Sequence, residues 1–434
     1  MVLVVCALIY RQRSQVRPEM LAGILLALEI GLFEAGRREG RVRILPLIAI
    51  AWGWANLHLT YYLGLLVLGI YALDAARARR AEARGLGLAL LGGIAISFAN
   101  PFGARALWEP FDFALFHRDE PIYRSIGELR PLNWRFQATN GLLVLLPLWP
   151  LLAAWRARRR GLDLAEAALL VTFSALTIAA QRMAGFYALV AAPFVARDLG
   201  EWWAARSRFA AIAAPWRRAA VTIAMCVTLP IAEWRRPEYP LGLDYDWRAV
   251  PVAACDFMAG HEISGRGFNP FHYGGYLLWR FWPDRERLPF MDIHQTGTRE
   301  DRDLANAALL SHPAYLALMR RYDFDYAVVD RRLGPQRRLL DWFDDDRRWA
   351  LVFIDDVAAL YLRRSERHRA LLEHTAYQVW PAGPEKLDGV ARRLAADPAL
   401  RVAAAAELRH QIAESPYHES AARFLAQLEG RGGP

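Results

Sequence analysis

Eight apolar runs fill the first half of the chain, and each approaches the about 20 residues that a helix needs to cross a bilayer. A ninth apolar segment, residues 1–10, is typical of the end of another span and not of a signal peptide. These runs predict a mainly α fold that begins with a polytopic transmembrane helical domain of about eight spans over residues 1–234. The predicted spans are 19–35, 42–57, 59–76, 85–99, 139–155, 164–180, 183–199 and 218–233.

Arginine placement predicts how these spans are oriented. Arg-rich segments at 37–43, 77–84, 156–160 and 206–218 are typical of cytoplasmic loops. The formal charge is +9, but the basic residues cluster at the ends of apolar runs, which argues against a nucleic-acid partner. The pattern predicts a multi-pass protein of the inner (plasma) membrane with its C-terminal part extracytoplasmic. The outer segments are then 11–19, 54–58, 100–138 and 180–185.

The composition changes after residue 234. Strand-like segments GRGFN, LPFMDIH and FDYAVVD and a hairpin, WALVFIDDVAALYLRR with Asp355 and Asp356 at its turn, predict a small extracytoplasmic α/β domain over 235–364. Residues 365–434 are Ala-, Leu- and Arg-rich and predict a short C-terminal helical appendage of about three helices. The three cysteines form neither a disulfide framework nor a metal motif.

The stretch WANLH raises a question because it places Asn56 and His58 at the seam of two apolar runs. One interpretation is structural: Asn56 caps a helix and His58 faces an interface. An aromatic belt lies beside them, formed by Trp52, Trp54, Tyr61 and Tyr62. The other is functional, because polar residues at such a seam are costly and often belong to a site. The sequence leaves both open. In the functional interpretation, Asn56 and His58 share a cavity with Arg182 and Glu128.

Several segments resemble, in their order along the chain, bacterial polytopic membrane proteins related to GT-C glycosyltransferases. The segments are WANLH, SFANPFGARALWEPF, IGELRPLNW, AQRMAGFYALVAAPFVARDL, NPFHYGGYLLWRFWP and LPFMDIH. The chain departs from that pattern at Leu59 and Thr60, which replace paired glycines, at Met183, which replaces Asn, and at His294, which replaces Arg. In the family a catalytic acidic residue lies in the first outer loop, which would precede Met1, so the resemblance implies the C-terminal part of such a protein.

The resemblance also implies a function. It is the transfer of a sugar from a polyprenyl-phosphate donor to a glycan or lipid acceptor at the outer face of the membrane, in envelope glycan assembly and with membrane lipids as further partners. Whether this chain is an active enzyme, and whether a divalent metal takes part, stays open at this point. The alternative is a non-enzymatic, membrane-anchored envelope assembly or glycan-binding protein.

Candidate site residues follow from the chemistry of such a transfer. Arg17, Arg105 and Arg182 are candidates for phosphate contact, because the planar guanidinium pairs with phosphate oxygens. Alternatively they anchor helix ends or pair with Glu19, Glu109 or Asp112. Glu128 and Asp112 are the candidate catalytic carboxylates, because a base must take the proton of the acceptor hydroxyl. The competing interpretation of 108–118 is an amphipathic surface helix. Asn56 and His58 complete the candidate substrate-binding set.

A second group of polar residues lies in the predicted α/β domain. His272 precedes Gly274 and Gly275, and Asp292 and His294 end a predicted strand, where α/β sheets bind ligands. Metal binding by these side chains lacks a compact ligand spacing. A structural turn is the favoured interpretation, and no metal ligand is assigned.

Overall fold

The computed structural model describes residues 2–11, 17–120, 123–124, 126–204, 215–235, 245–292, 297–332 and 337–430. The chain forms two compact units, Met1–Gly242 and Leu243–Pro434, here called the helical unit and the sheet unit. The three-part division into 1–234, 235–364 and 365–434 stays a prediction.

The apolar runs of the first unit form helices, as their composition predicts. A single π-helical turn, Phe113–His117, continues α6, and short 3₁₀ turns lie at Gly127–Leu129 and Gln181–Met183. The helices are α1 (Val2–Tyr10), α2 (Pro18–Glu39), α3 (Ile44–Leu57), α4 (Tyr61–Arg77), α5 (Ala83–Ser97), α6 (Ala104–Asp112), α7 (Leu142–Arg160), α8 (Leu164–Ala179), α9 (Ala184–Ala204) and α10 (Pro215–Trp234).

Local sequence signals explain where these helices begin and end. Helix α2 begins at Pro18, whose fixed φ suits the first helical position, and ends at Gly40, which adopts φ 67°. Helix α8 begins after Asp163, whose side chain accepts a hydrogen bond from the Glu166 amide at 3.2 Å. Short connections join α2 to α3, α3 to α4, α4 to α5, α7 to α8 and α8 to α9, so these neighbours pack antiparallel.

The antiparallel packing gives the helical unit two ends. At the first, here called the Arg182 end, Trp52 and Asn56 of α3 reach the carbonyl of Ala99, and Arg118 reaches the carbonyl of Ala179. At the second, the Arg37 end, acidic residues of several helices surround partly buried arginines. Between the ends lies an apolar core whose largest buried side chains include Trp54, Trp149, Phe173, Tyr187 and Phe194.

The prediction of a polytopic transmembrane domain is wrong for the described residues, because no helix there combines the length and the apolar character that a bilayer crossing requires. Helix α3 has 14 residues, which is about 21 Å at 1.5 Å per residue against an apolar bilayer thickness of about 30 Å. The longer helices carry charges, such as Glu29 and Glu34 in α2 and Arg197 and Asp198 in α9. The predicted multi-pass location in the inner membrane is wrong for the same reason, and the sidedness inferred from arginine placement loses its basis.

The charged residues of the Arg37 end pair with one another. Arg37 contacts Glu34 at 3.2 Å, Asp163 at 3.0 Å and Asp74 at 3.4 Å. Buried charges of this kind must be paired, because an isolated one costs several kcal/mol. The arginines that suggested cytoplasmic loops therefore include residues that tie helices together.

The sheet unit is built around strands in the spatial order β1-β2-β4-β3. β1 (Gly267–Phe268) pairs parallel to β2 (Tyr326–Asp330), and β4 (Ala358–Arg363) pairs antiparallel to β2 and to β3 (Trp349–Ile354). Its helices are α11 (Val252–Gly260), α12 (Gly274–Phe281), α13 (Arg299–Ala308), α14 (His312–Tyr322), α15 (Arg337–Asp345), α16 (Arg369–Thr375), α17 (Leu387–Ala396), α18 (Pro398–Glu414) and α19 (Glu419–Leu428).

The predicted hairpin is confirmed as β3–β4, and the strands predicted in GRGFN and FDYAVVD are confirmed as β1 and β2. The Asp355 side chain accepts hydrogen bonds from the Val357 and Ala358 amides at 2.8 Å in the turn of the hairpin. The segment LPFMDIH differs: its described part forms only one bridge, between Pro289 and Gly267. The described residues after 365 contain four α-helices, where about three were predicted.

Candidate functional site

Arg182 lies in the 3₁₀ turn between α8 and α9, next to the first turn of α2. Its guanidinium is 3.8 Å from Glu19, which is 4% exposed. Tyr62 faces both: burial raises the pKa of its hydroxyl, Arg182 lowers it and Glu19 raises it. The Nε atom of Arg182 is buried and has no hydrogen-bond partner among the described residues. The Nε–H group of Arg182 is therefore a hydrogen-bond donor that the described residues leave unsatisfied.

The loop that contains Glu128 is tied to this turn. Gln181 donates through its side chain to the carbonyl of Gly127 at 2.6 Å and through its amide to the carbonyl of Arg130 at 3.0 Å. Glu128 pairs with Arg17 at 3.4 Å, and the two side chains are 30% and 51% exposed. A pair this exposed is worth about 0–1 kcal/mol, so an anionic ligand can displace Glu128 from Arg17 at little cost.

The structure thus brings together Arg17, Glu128 and Arg182. The arginine pairs foreseen as an alternative exist in part, because Arg182 pairs with Glu19, while Arg17 pairs with Glu128 and not with the acids that the sequence suggested. Arg105 is exposed near the start of α6, and no hydrogen bond or ion pair holds it to another described residue. Its proposed phosphate contact stays a prediction.

Asn56 and His58 shape the turn between α3 and α4. Asn56 donates to the carbonyls of Trp52 at 2.9 Å and Ala99 at 3.1 Å, which fastens the end of α3. His58 accepts the Thr60 amide at Nδ1 at 3.2 Å, and the same nitrogen is 2.8 Å from the Thr60 hydroxyl. These contacts support the structural interpretation, and a shared cavity with Arg182 and Glu128 stays a prediction.

The aromatic belt expected around WANLH is wrong in part. Trp52 is 50% exposed, but Trp54 is 1% exposed, lies in the core and donates to the Thr60 hydroxyl at 3.2 Å. Tyr61 is 7% exposed and donates to the carbonyl of Leu107 at 2.6 Å. These rings are packing elements because they fill the space between α3, α4 and α6.

Asp112 belongs to a chain of three side chains. Its carboxylate is 3.1 Å from Nε2 of His117, and Nδ1 of His117 is 2.7 Å from Glu120. The π-helical turn explains this: the Arg118 amide donates to the Phe113 carbonyl five residues earlier, so residues five apart share a face. Asp112 is therefore not an isolated surface carboxylate.

Within the described parts of the chain, no group of three or more His, Cys, Asp or Glu side chains is arranged to hold a metal ion. His272 instead pairs through Nε2 with Asp330 at 2.6 Å. Burial raises the pKa of Asp330, but His272 and the Arg332 amide outweigh it, so the pKa lies below its ordinary value. Asp292 is 9% exposed, and His294 lies outside the described residues.

The paired glycines after His272 permit a close approach of two parts of the chain. A Cβ at Gly274 would stand 2.1 Å from the Met291 carbonyl oxygen and 2.6 Å from the Asp292 Cα. A Cβ at Gly275 would meet no atom within 4 Å. One glycine is thus required by packing, and its neighbour is not.

This difference predicts opposite effects of two adjacent substitutions. We expect Gly274→Ala to lower the free energy of unfolding of the sheet unit by about 1–3 kcal/mol, the usual cost of overpacking. Gly275→Ala is the matched control, and we expect it to be neutral or to stabilise by up to about 1 kcal/mol, because alanine favours helix. Urea unfolding followed by tryptophan fluorescence measures both. Equal effects of the two variants would contradict the close approach.

The sequence-based reasoning missed Gln181, assigned Tyr62 only to the aromatic belt and gave Glu19 only as a possible counter-ion. The sequence around Glu19 indicates the first turn of a helix, because Glu19 follows Pro18 and the other end of the same helix carries Arg37 and Arg38. A carboxylate in the first turn is stabilised by the helix dipole and attracts a cation there. Gln181 had no such signal, since its role depends on a loop far away in the sequence.

Comparisons with known proteins place the fold. No family model matches the chain, and no curated protein matches it in sequence. The oligosaccharyltransferase of Archaeoglobus fulgidus in its apo form is similar, with a TM-score of 0.51 at 13% identity over 84% of this chain and 62% of that one. Oligosaccharyltransferase AglB of Archaeoglobus fulgidus in complex with an inhibitory peptide and a dolichol-phosphate gives 0.52 at 12% identity over 81% and 60%.

At this identity the likeness concerns the fold alone. The chain spans about three fifths of the length of these solved structures. It shares their GT-C-type fold, which agrees with the family that the sequence resembles.

Proposed function

We propose that the chain transfers a sugar from a polyprenyl-phosphate-linked donor to the hydroxyl of an acceptor, as a step of envelope glycan assembly. The observation that carries the proposal is the convergence of Arg17, Arg182 and Glu128 at one end of a helical unit with a GT-C-type fold. Two cations and a displaceable carboxylate suit a phosphate ester whose leaving group gains charge.

The arrangement of Arg182 supports the phosphate part. A guanidinium binds phosphate through paired N–H donors, and such charge-assisted hydrogen bonds are about twice as strong as neutral ones. Glu19 is 3.8 Å from the guanidinium, longer than an ordinary hydrogen bond, and the buried Nε donor lacks a partner among the described residues. The side chain as a whole is 22% exposed, so phosphate oxygens can reach its outer N–H donors.

The lipid part is supported by the neighbour of known structure, because AglB was solved with a dolichol-phosphate, which is a polyprenyl phosphate. In the transfer, the bond between the sugar C1 and the phosphate oxygen breaks and its electron pair stays on the phosphate. A bond forms between C1 and the acceptor oxygen, and the hydroxyl proton passes to a base. Arg17 and Arg182 stabilise the charge that develops on the phosphate.

The proposal predicts that the chain distinguishes a lipid phosphate from the lipid alone. We expect farnesyl phosphate, a short polyprenyl phosphate, to bind the purified full chain at least about 100-fold more tightly than farnesol, because two charge-assisted contacts are worth about 1.5–3 kcal/mol each. Isothermal titration calorimetry measures both affinities, with inorganic phosphate showing what the lipid adds. We also expect farnesyl phosphate to be released from farnesyl-phosphate-linked sugars in the presence of a hydroxyl acceptor.

Equal affinity for farnesol and farnesyl phosphate would contradict the proposal. Binding of oligosaccharides without any affinity for farnesyl phosphate would favour the alternative function, a non-enzymatic glycan-binding or assembly protein.

A further inference from the structure

The Asp112–His117–Glu120 chain differs from the Arg17–Glu128 and Arg182–Glu19 pairs, because its central member is a histidine and not an arginine. His117 contacts a carboxylate with each ring nitrogen, at 3.1 Å on the Asp112 side and 2.7 Å on the Glu120 side. Asp112 and His117 are each 35% exposed, while Glu120 is 1% exposed. One end of the chain therefore meets solvent and the other is buried.

The contact with Glu120 bears on how the imidazole is protonated. Nδ1 of His117 is 2.7 Å from the Glu120 carboxylate, and an ionised carboxylate only accepts hydrogen bonds, so with Glu120 ionised the proton between them is on Nδ1. The other nitrogen, Nε2, then faces Asp112. When the imidazole is neutral, two acceptors face each other, and a proton that enters between them is held by both. Asp112 and His117 can thus bind one proton between them.

Glu128, the other candidate base, lacks this property. Its partner Arg17 stays charged at every accessible pH. Arg17 therefore holds Glu128 as an anion but cannot take a proton from it. A carboxylate that pairs with a histidine can share an added proton with the imidazole, whereas a carboxylate that pairs with an arginine cannot share it with the guanidinium.

The π-helical turn is an independent sign that this arrangement is functional. It is the feature that turns His117 back over Asp112, and such turns cost hydrogen-bond geometry and occur frequently at functional sites. Other charges around His117 are already engaged: Arg118 donates to the carbonyl of Ala179 at 2.7 Å, and Asp119 pairs with Arg124 at 3.2 Å. Neither competes for the imidazole.

We propose that His117, acting through Asp112, takes up the proton that the acceptor hydroxyl loses in the transfer, and that Glu120 positions the imidazole. This inference rests on the proposed function. The acceptor O–H bond breaks as the bond from oxygen to the sugar C1 forms, and the proton moves to Asp112 and is shared with Nε2 of His117. The electron pair of the broken bond between C1 and the phosphate oxygen leaves with the phosphate. Asp112 is then the catalytic base, and His117 and Glu120 are positioning residues.

The first test needs no substrate. The full chain is labelled with ¹⁵N in its 10 histidines, and His117→Gln identifies the His117 ring signals. We expect Nδ1 to stay protonated throughout a pH titration while Nε2 exchanges its proton. Asp112→Asn should reduce the protonated fraction of Nε2 at a given pH, because the imidazolium loses its counter-charge. The proposal of a shared proton would be contradicted if Nδ1 proved to be unprotonated. It would also be contradicted if Asp112→Asn left the protonated fraction of Nε2 unchanged.

The second test measures transfer from a farnesyl-phosphate-linked sugar as a function of pH. We expect Asp112→Asn to lower kcat by about 10²–10⁴, the usual contribution of a general base. His117→Gln should lower kcat by at least about tenfold and remove the rise of rate with pH, with KM nearly unchanged. Glu128→Gln should act mainly on KM. Loss of kcat in Glu128→Gln with full activity in Asp112→Asn would overturn the assignment.

His410→Gln is the matched control, because His410 also pairs with a carboxylate, Glu414 at 3.2 Å, but lies in the sheet unit. It should alter neither the His117 signals nor the rate. Unfolding midpoints of all variants show whether they fold. The two tests separate the claims: normal ring signals without transfer would refute the proposed function, and transfer without the shared proton would refute the relay alone.

Discussion

Replacing Arg197 by Leu is expected to lower the free energy of unfolding of the helical unit by about 3–5 kcal/mol, the cost of removing one partner from a buried ion pair. Arg197 contacts Glu166 at 2.5 Å and Asp198 at 2.6 Å, and those carboxylates are 3% and 0% exposed. The substitution leaves the buried Glu166 without the arginine that pairs with it, while Asp198 keeps Arg156 at 3.2 Å. Chemical denaturation followed by circular dichroism measures the loss. Arg158→Leu at the end of α7 is the control, since Arg158 is exposed and should stay within about 0.5 kcal/mol.

The effect of Arg197→Leu should depend on pH in a defined direction. Burial raises the pKa of the Glu166 carboxyl, and Arg197 opposes that rise through a hydrogen bond and its charge. Without Arg197 the pKa of Glu166 rises further, so burying the ionised carboxylate costs the folded variant more free energy as the pH increases. A carboxyl group whose pKa is raised in the folded state lowers the free energy of unfolding as the pH increases. The loss should therefore be larger at pH 8 than at pH 5, and an equal loss would contradict a buried Glu166.

The helices of the first unit were predictable from the sequence. Their lengths, and whether protein or lipid covers their faces, were not. Apolar runs mark helices because buried helical faces need them. The run at 42–57 shows the limit: it forms only Ile44–Leu57, and its tryptophans separate into an exposed Trp52 and a buried Trp54. A run of apolar letters does not say whether protein or lipid covers each face, so the inference of membrane spans failed on helices that are short or carry charges.

The candidate residues came from two kinds of position in the sequence. Arg17 and Arg182 were predicted from helix ends and Glu128 from a loop, and the structure joins these segments through one loop and one turn. The contact between Glu19 and Arg182 was not predictable as a definite pair, because it joins helices far apart in sequence. The bridge from Asp112 to His117 was not predictable either, because a regular helix aligns residues three or four apart, and only a π-helical turn aligns residues five apart.

Arg182→Gln is expected to weaken the binding of farnesyl phosphate by about 10- to 100-fold, because the loss of a charge-assisted contact costs about 1.5–3 kcal/mol and 1.4 kcal/mol is a factor of ten. The affinity of Arg182→Lys for farnesyl phosphate should lie between those of the wild type and Arg182→Gln, since an ammonium keeps the charge but lacks the paired N–H donors of the guanidinium. The affinity for farnesol should not change in either variant. Calorimetry at two salt concentrations measures the difference, and the wild-type affinity should fall more steeply with salt than that of Arg182→Gln.

The control for this experiment is Arg84→Gln, because Arg84 is exposed near the start of α5, at the Arg37 end. It removes the same charge from the chain but lies far from the proposed phosphate contact, so binding should stay within about twofold of wild type if long-range attraction between exposed charges is screened. A loss equal to that of Arg182→Gln would mean that net charge and not a site attracts the ligand. Arg182→Gln also removes a neighbour of the buried Glu19, so its unfolding midpoint is measured beside its affinity. A variant that remains folded and loses affinity only for the phosphate ester identifies Arg182 as the phosphate contact, whereas unchanged affinity in a folded Arg182→Gln would remove Arg182 from the site.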